Sequence, residues 1–137
     1  MSASKVVYAL LTGAGAVTAI VGAGAAARIY PVLLPQGQTV PAIVFEVISA
    51  YRPGAIDAYA PTHLTTSRVQ VNLITADYPA LLVLLEATKA ALQFQRGVLG
   101  GVTTHSVLHA GEGPVQYDQQ LGLYTQPIDF LITHEAN

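Results

Sequence analysis

The sequence predicts an α+β domain, in which an antiparallel sheet of about four strands carries an N-terminal helix and a central helix on one face. The stretch 67–101 is the main evidence. Val69, Val71 and Leu73 alternate with polar residues, which predicts a strand with one dry and one wet face. A helix follows, with Asp77 as its predicted N-cap. Its apolar stripe is Leu81, Leu84, Leu85, Thr88 and Leu92. The full order is helix, strand, strand, helix, strand, strand, which is typical of α+β folds.

Length and composition predict a single domain, residues 1–137, with an unusually uncharged surface. Charged residues make up 10% of the chain, against roughly 25% in an average soluble domain. Such a surface is often partly covered by other chains. With a formal net charge of −2, the chain lacks the excess of basic residues that binds nucleic-acid phosphates. Because the chain contains no cysteine, disulfides and thiolate metal sites are excluded.

The N-terminal stretch 5–27 is apolar and rich in small residues, so it resembles a secretory signal. Gly13 and Gly15 interrupt the apolar run, which argues against a signal and against a membrane span. A packed helix from a Ser4 cap to about Leu11, followed by a second short apolar turn, fits the pattern better. A secreted protein that uses this stretch as its signal is the alternative.

A strand is predicted over 42–50, with Ile43, Phe45 and Val47 on one face. The connection that follows, 51–66, is too long for a tight hairpin, and such loops tend either to carry function or to be mobile. It contains tyrosine and arginine, which anchor many protein interfaces. The candidate interface residues in this segment are Tyr51, Arg52, Asp57, Tyr59 and His63.

After the central helix, Gly97 stands where a left-handed C-cap is expected. A strand over 102–109 and a polar loop over 111–120 follow. The loop supplies two further candidate interface residues, Tyr117 and Asp118. The last strand, 121–133, has Tyr124, Gln126, Ile128, Phe130 and Ile132 on one side. Its Pro127 has no backbone N–H to donate to a neighbouring strand, which favours an edge position or a bulge.

The sequence predicts no catalytic, cofactor or metal site, and we expect a protein that is not an enzyme. His105 and His109 would lie about 13 Å apart on a strand, at roughly 3.3 Å per residue, too far to share one ion. The chain contains neither a G-x-S-x-G elbow nor a phosphate-binding loop. A small α+β enzyme with an unrecognised site is a further alternative.

Several short motifs occur in a characteristic order along nearly the whole chain. They are Y-A-L-L-T in the first helix, R-I-Y-P at 28–31, L-P-Q-G at 34–37, P-A-I-V-F-E at 41–46, S-R-V-Q-V at 67–71, R-G-V-L-G-G-V at 96–102 and L-G-L-Y-T-Q-P-I-D-F at 121–130. In order and spacing the chain resembles the tail-completion, or tail-terminator, proteins of long-tailed bacteriophages and prophages.

This resemblance implies a structural protein of the virion, located at the junction of tail and head and assembled in the host bacterial cytoplasm. Such proteins form a hexameric ring that caps the tail tube and then docks onto the head connector. The implied partners are further copies of the chain, the tail tube protein and a connector or stopper protein, with no membrane and no cofactor. DNA would pass through the lumen without specific binding, which suits a ring of about −12 formal charge (six times −2). A head-closure protein of the same joint is the nearest alternative.

Overall fold

The computed structural model describes residues 2–24, 27–37, 39–51 and 63–136, without the side chains of Ser2, His63 and Ala136. Within these ranges the chain forms three helices and seven strands. The helices are α1 (Ser2–Thr12), α2 (Gly15–Val21) and α3 (Tyr78–Leu92). The strands are β1 (Ile29–Pro31), β2 (Ala42–Tyr51), β3 (His63–Thr75), β4 (Gly97–Leu99), β5 (Val102–Glu112), β6 (Gln116–Asp118) and β7 (Leu123–Ala136).

The described strands form one sheet in the order β1-β2-β3-β7-β5-β4, and β6 pairs with the start of β7. Every pair is antiparallel except β1 with β2. The α+β class is therefore confirmed, but the expectation of about four strands is too low. Four strands are long and match the predicted ones, β2, β3, β5 and β7. The other three have only three residues each, too few for an alternating pattern to appear in the sequence.

The last strand is central, which corrects the expectation that Pro127 marks an edge. β7 lies between β3 and β5. The backbone N–H of Gly113 donates to the Pro127 carbonyl oxygen at 2.8 Å. The N and C=O of one strand residue face the same neighbour, so the proline nitrogen also faces the segment that contains Gly113. This segment lies between the end of β5 at Glu112 and the start of β6 at Gln116. Because neither β5 nor β6 covers this position, the missing N–H of Pro127 breaks no ladder hydrogen bond, and the central strand tolerates the proline.

All three helices contribute to one core on one face of the sheet. The predicted α3 stripe is fully or almost fully buried, as are Val69, Val71, Leu73 and Phe130 on the strands. The first two helices bury Val6, Val7, Leu11, Val17 and Val21 in the same cluster. Ser4 lies inside α1, which begins by Ser2, and so does not cap it. Among the described residues no single helix is long and apolar enough to cross a membrane; α1 and α2, bent by 84°, meet that test only as a pair.

The ends of α3 differ in part from the expectation. Asp77 is the N-cap residue, but its side chain makes no capping bond; the Thr75 hydroxyl donates to the Asp77 carbonyl oxygen at 2.8 Å instead. The helix ends at Leu92, and the left-handed residue after it is Phe94 with φ +63°. Gly97, the predicted C-cap, opens β4. The C-cap prediction was wrong because it assumed that a glycine would take the left-handed position.

Candidate assembly surfaces

The described members of the two groups of predicted interface residues lie at opposite ends of the sheet. Tyr51 ends β2 opposite Thr66 of β3. Tyr117 in β6 faces Tyr124 of β7, which in turn pairs with Thr75 at the other end of β3. Thr66 and Thr75 are separated by nine residues of one strand, or about 30 Å at roughly 3.3 Å per residue. The chain therefore presents two separate ends.

The first end can be described only in part. Tyr51 is exposed, as expected for an interface residue. The backbone of His63 opens β3, where it pairs with Ala136. Arg52, Asp57 and Tyr59 lie outside the described residues, so their interface role stays a prediction.

The second end carries a cluster of three tyrosines. The ring centroid of Tyr117 is 4.6 Å from that of Tyr124, which is 5.8 Å from that of Tyr78. Tyr117 and Tyr78 are exposed, and Tyr124 is partly buried against the core. Exposed tyrosines that are held rigidly by neighbouring rings can contribute contact area at low entropic cost. The order of strands brings Tyr78 into this cluster, and sequence reasoning missed it because it is distant along the chain.

Asp118, predicted to be an interface residue, stabilises the turn of the same hairpin. Its Oδ1 accepts hydrogen bonds from the backbone N–H groups of Gln120 at 2.9 Å and Leu121 at 3.2 Å. Its carbonyl oxygen accepts from Gly122 at 2.7 Å. This pattern is that of an Asx turn, in which the carboxylate orders the chain locally. Asp118 therefore shapes the turn that follows β6, and Leu121 in this turn is exposed.

On the sheet face away from the core, polar side chains of β3 and β7 interact across the two strands. Arg68 Nε and Nη2 donate to Asp129 Oδ2 at 3.0 and 2.7 Å. The Thr66 and Thr133 hydroxyls are 3.2 Å apart on the same two strands. Because Asp129 neutralises the guanidinium, Arg68 offers little free positive charge to a passing phosphate.

Two exposed apolar sites lie at the two edges of the sheet, and sequence reasoning missed both. At the β4 edge, Phe94 is 74% exposed and its backbone N–H donates to Val107 of β5 at 2.8 Å. Beside it is an open hollow of about 270 Å³, which we call the Phe94 hollow. Its lining is Phe94, Gln95, Arg96, His105, Ser106 and Leu108. Leu108 and, in neighbouring β4, Val98 are also exposed.

At the β1 edge, Val32 and Leu33 are 64% and 65% exposed. The backbone N–H of Leu33 donates to the Pro31 carbonyl oxygen at 2.8 Å, and Val32 between them has φ +71°. This is a γ-turn in its rare, strained form. A β-branched residue at positive φ is a steric outlier that the surrounding structure must maintain. We call this feature the Val32 turn.

Two polar clusters lie outside these surfaces, and both have structural geometry. Ser67 Oγ is 3.0 Å from His134 Nε2, but both residues are buried and His134 Nδ1 faces the Glu135 carbonyl oxygen at 3.3 Å instead of a carboxylate. Lys89 Nζ on α3 is 2.6 Å from Glu112 Oε1 on β5. The hydrogen bond to Glu112 raises the pKa of Lys89, and burial partly opposes it. In the described part of the chain, no group of three or more His, Asp or Glu is arranged to hold a metal ion.

Comparisons with known proteins identify the fold. No protein-family model matches the chain, and no curated protein matches it significantly. Among solved structures, the chain is similar to a protein from the virion of a native gene transfer agent (GTA) particle. The similarity covers 99% of this chain and 95% of the other, with a TM-score of 0.70 and 16% sequence identity. At that identity the likeness shows that the two chains share a fold over their whole lengths.

Proposed function

We propose that this chain is a structural protein of a virion, in which a ring of copies, six by the sequence resemblance, caps the tail tube and joins it to the head connector. The observation that carries the proposal is the fold shared end to end with a protein of a GTA virion. It agrees with the sequence resemblance to tail-terminator proteins, which was drawn from separate short motifs. DNA would pass through the lumen of the ring.

The two ends of the sheet suit a joint. A protein between tube and connector needs two different contact surfaces that face in opposite directions. Tyr51 marks one end, and the Tyr117, Tyr124 and Tyr78 cluster marks the other. Tyrosine is enriched where interfaces are anchored. We assign one end to the tube and the other to the connector.

The surface supports a role in assembly and not in catalysis. Besides the two edge sites, Leu82 and Val83 on α3 are exposed, in a chain with 10% charged residues. Exposed apolar side chains that form a contiguous patch are a mark of interaction sites. The Ser67–His134 pair is buried in the core, where a substrate cannot reach it. We therefore propose that the protein is not an enzyme and uses no cofactor.

The N-terminal helices count against a secreted protein with a cleaved signal over 5–27. Val6, Val7, Leu11, Val17 and Val21 are all fully buried. Cleavage after this stretch would remove them and expose the inner faces of the sheet and of α3. Mass spectrometry of the protein from its native host tests this point, and we expect the N-terminal helices to be retained.

Electron microscopy of purified protein mixed with tail tubes tests the proposal. We expect rings on tube ends, and a capped tube should then bind connector-bearing heads. Tyr51→Ala and Tyr117→Ala should each impair one of these two steps and leave the other intact, because the two tyrosines lie at opposite ends. Rings that bind connectors but never tubes would indicate a head-closure protein. Protein that binds neither would contradict a joint altogether.

A further inference from the structure

We propose that neighbouring copies meet edge to edge, with the Val32 turn of one copy seated in the Phe94 hollow of the next. The inference rests on the proposed ring and deepens it, because it names the two surfaces that join. Four observations carry it: the positions of the two sites, their strained backbones, their shapes and the single chain that contains both.

The first observation is position. β1 and β4 are the two ends of the strand order β1-β2-β3-β7-β5-β4, so the Val32 turn and the Phe94 hollow lie at opposite edges of one sheet. Five strand spacings of about 4.8 Å separate these edges. A contact between the Val32 turn of one copy and the Phe94 hollow of another joins two different surfaces and is therefore head-to-tail, and head-to-tail contacts generate rings when the rotation closes.

The second observation is backbone strain. Among the described residues, Val32 (φ +71°) and Phe94 (φ +63°) are the non-glycine residues with positive φ. One lies at each edge, and both are largely exposed. In the free monomer, no packing contact offsets the backbone strain of such a residue or the exposure of its apolar side chain. Contact with another chain would account for both costs.

The third observation is shape. The Val32 turn is a tight γ-turn whose Val32 and Leu33 side chains are exposed. The Phe94 hollow is open, includes the exposed side chains of Phe94 and Leu108, and has a volume of about 270 Å³. Its volume is sufficient for an aliphatic side chain, which would pack against Phe94 and Leu108; the remaining lining residues, Gln95, Arg96, His105 and Ser106, are polar.

The fourth observation identifies the occupant as a second copy. The apolar side chains of both sites are exposed in the described chain, and the Phe94 hollow is large enough to hold a side chain of the Val32 turn. An unrelated partner that filled the hollow would leave the strained Val32 turn unexplained. With a second copy, the same contact buries both sites on every subunit of a closed ring.

Cysteine cross-linking tests the contact, because the chain contains no native cysteine. Leu33→Cys places a thiol on the Val32 turn, and Ser106→Cys places one in the lining of the Phe94 hollow with little change of shape. The variants are assembled, on tail tubes where tubes are required, and treated with a short bismaleimide. We expect a 1:1 mixture of the two single variants to give covalent dimers that contain one of each. The double variant should give a ladder that ends at the ring number.

Each single variant alone is the matched control and should stay uncross-linked, since a head-to-tail contact never brings two copies of the same site together. Dimers from a single variant would indicate a two-fold contact and overturn the inference. Rings that form normally but give no mixed dimers would overturn it as well, while leaving the proposed function intact. Protein that never forms rings, alone or on tubes, would overturn both.

Substitution by glycine provides a second arm that does not depend on cross-linking. Val32→Gly and Phe94→Gly relieve the positive φ, so each variant should unfold at the same temperature as the wild type or higher. Each should nevertheless require at least tenfold more protein to form rings. Glu86→Ala, which truncates an exposed polar side chain of α3, is the control and should assemble normally. Normal assembly of both glycine variants would contradict the contact.

Discussion

At the scale of single residues, two phenylalanines of this chain have opposite environments. Phe130 on β7 is fully buried among the core residues, whereas Phe94 at the β4 edge is 74% exposed. The predicted inward alternation of β7 is confirmed at Phe130, Ile128 and Ile132. Phe94 follows a helix end and belongs to no periodic pattern, so the sequence did not indicate its exposure.

Phe130→Ala should lower the free energy of unfolding by about 3–5 kcal/mol, because it removes buried aromatic volume and leaves a cavity. Phe94→Ala is the matched control and should change the free energy of unfolding by less than about 0.5 kcal/mol. Denaturant titration of both variants measures the difference. Equal losses would contradict the assignment of Phe130 to the core.

Two adjacent glycines in the turn between β4 and β5 have the same backbone requirement but different surroundings. Gly100 (φ +58°) and Gly101 (φ +79°) both adopt left-handed conformations. A Cβ on Gly100 would lie 2.6 Å from the Lys5 carbonyl oxygen of α1, whereas a Cβ on Gly101 would meet nothing within 4 Å. Gly100 is thus the point where the turn closes against α1.

Gly101→Ala should cost only the strain of the left-handed conformation, about 1 kcal/mol. Gly100→Ala should cost clearly more, because the turn must also move away from α1. Thermal unfolding of the two variants gives the comparison directly. If both lose the same stability, α1 does not pack against this turn.

At the scale of elements, an ion pair fastens α3 to β5. Lys89 Nζ lies 2.6 Å from Glu112 Oε1 and 3.5 Å from Glu86 Oε1. The hydrogen bond to Glu112 is the main reason that the pKa of Lys89 is raised above 10.5. A group whose pKa is raised by folding contributes stability that is complete below its ordinary pKa and is lost as the pH rises through the raised value.

Lys89→Met should therefore be less stable than the wild type at neutral pH, and the difference should shrink once the pH exceeds about 10.5. Denaturant titrations of both proteins from neutral to strongly alkaline pH measure it. The contribution of every other ionisable group that the two proteins share cancels in the difference. A difference that stays constant throughout the alkaline range would show that packing of the lysine stem, and not its charge, fastens α3.

The long elements could be predicted from sequence, and the short ones could not. The burial of Val69, Val71, Leu73 and the α3 stripe follows from periodicity alone. β1, β4 and β6 exist because neighbouring strands pair with them, which a window of three residues cannot reveal. Pro127 was expected at an edge or a bulge because the sequence does not show which flank of β7 its nitrogen faces. The edge sites were missed for the same reason, since strand order defines an edge.

At the scale of the whole molecule, the sheet has two ends and two edges, and we assign a different kind of contact to each pair. The ends carry Tyr51 and the tyrosine cluster, which we assign to tube and connector. The edges carry the Val32 turn and the Phe94 hollow, which we assign to neighbouring copies. Contacts along the ring and contacts along the tail axis would then use different surfaces. Substitutions at ends and edges should therefore give separable defects.

The mass of the protein in solution tests whether the chain forms a ring of six copies. Light scattering would be measured for the purified protein alone and after mixing with tail tubes. We expect either a particle near six times 14.3 kDa or a monomer that leaves solution as rings on tube ends. A monomer that stays free in the presence of tubes would contradict the ring, and with it the proposed joint between tail and head.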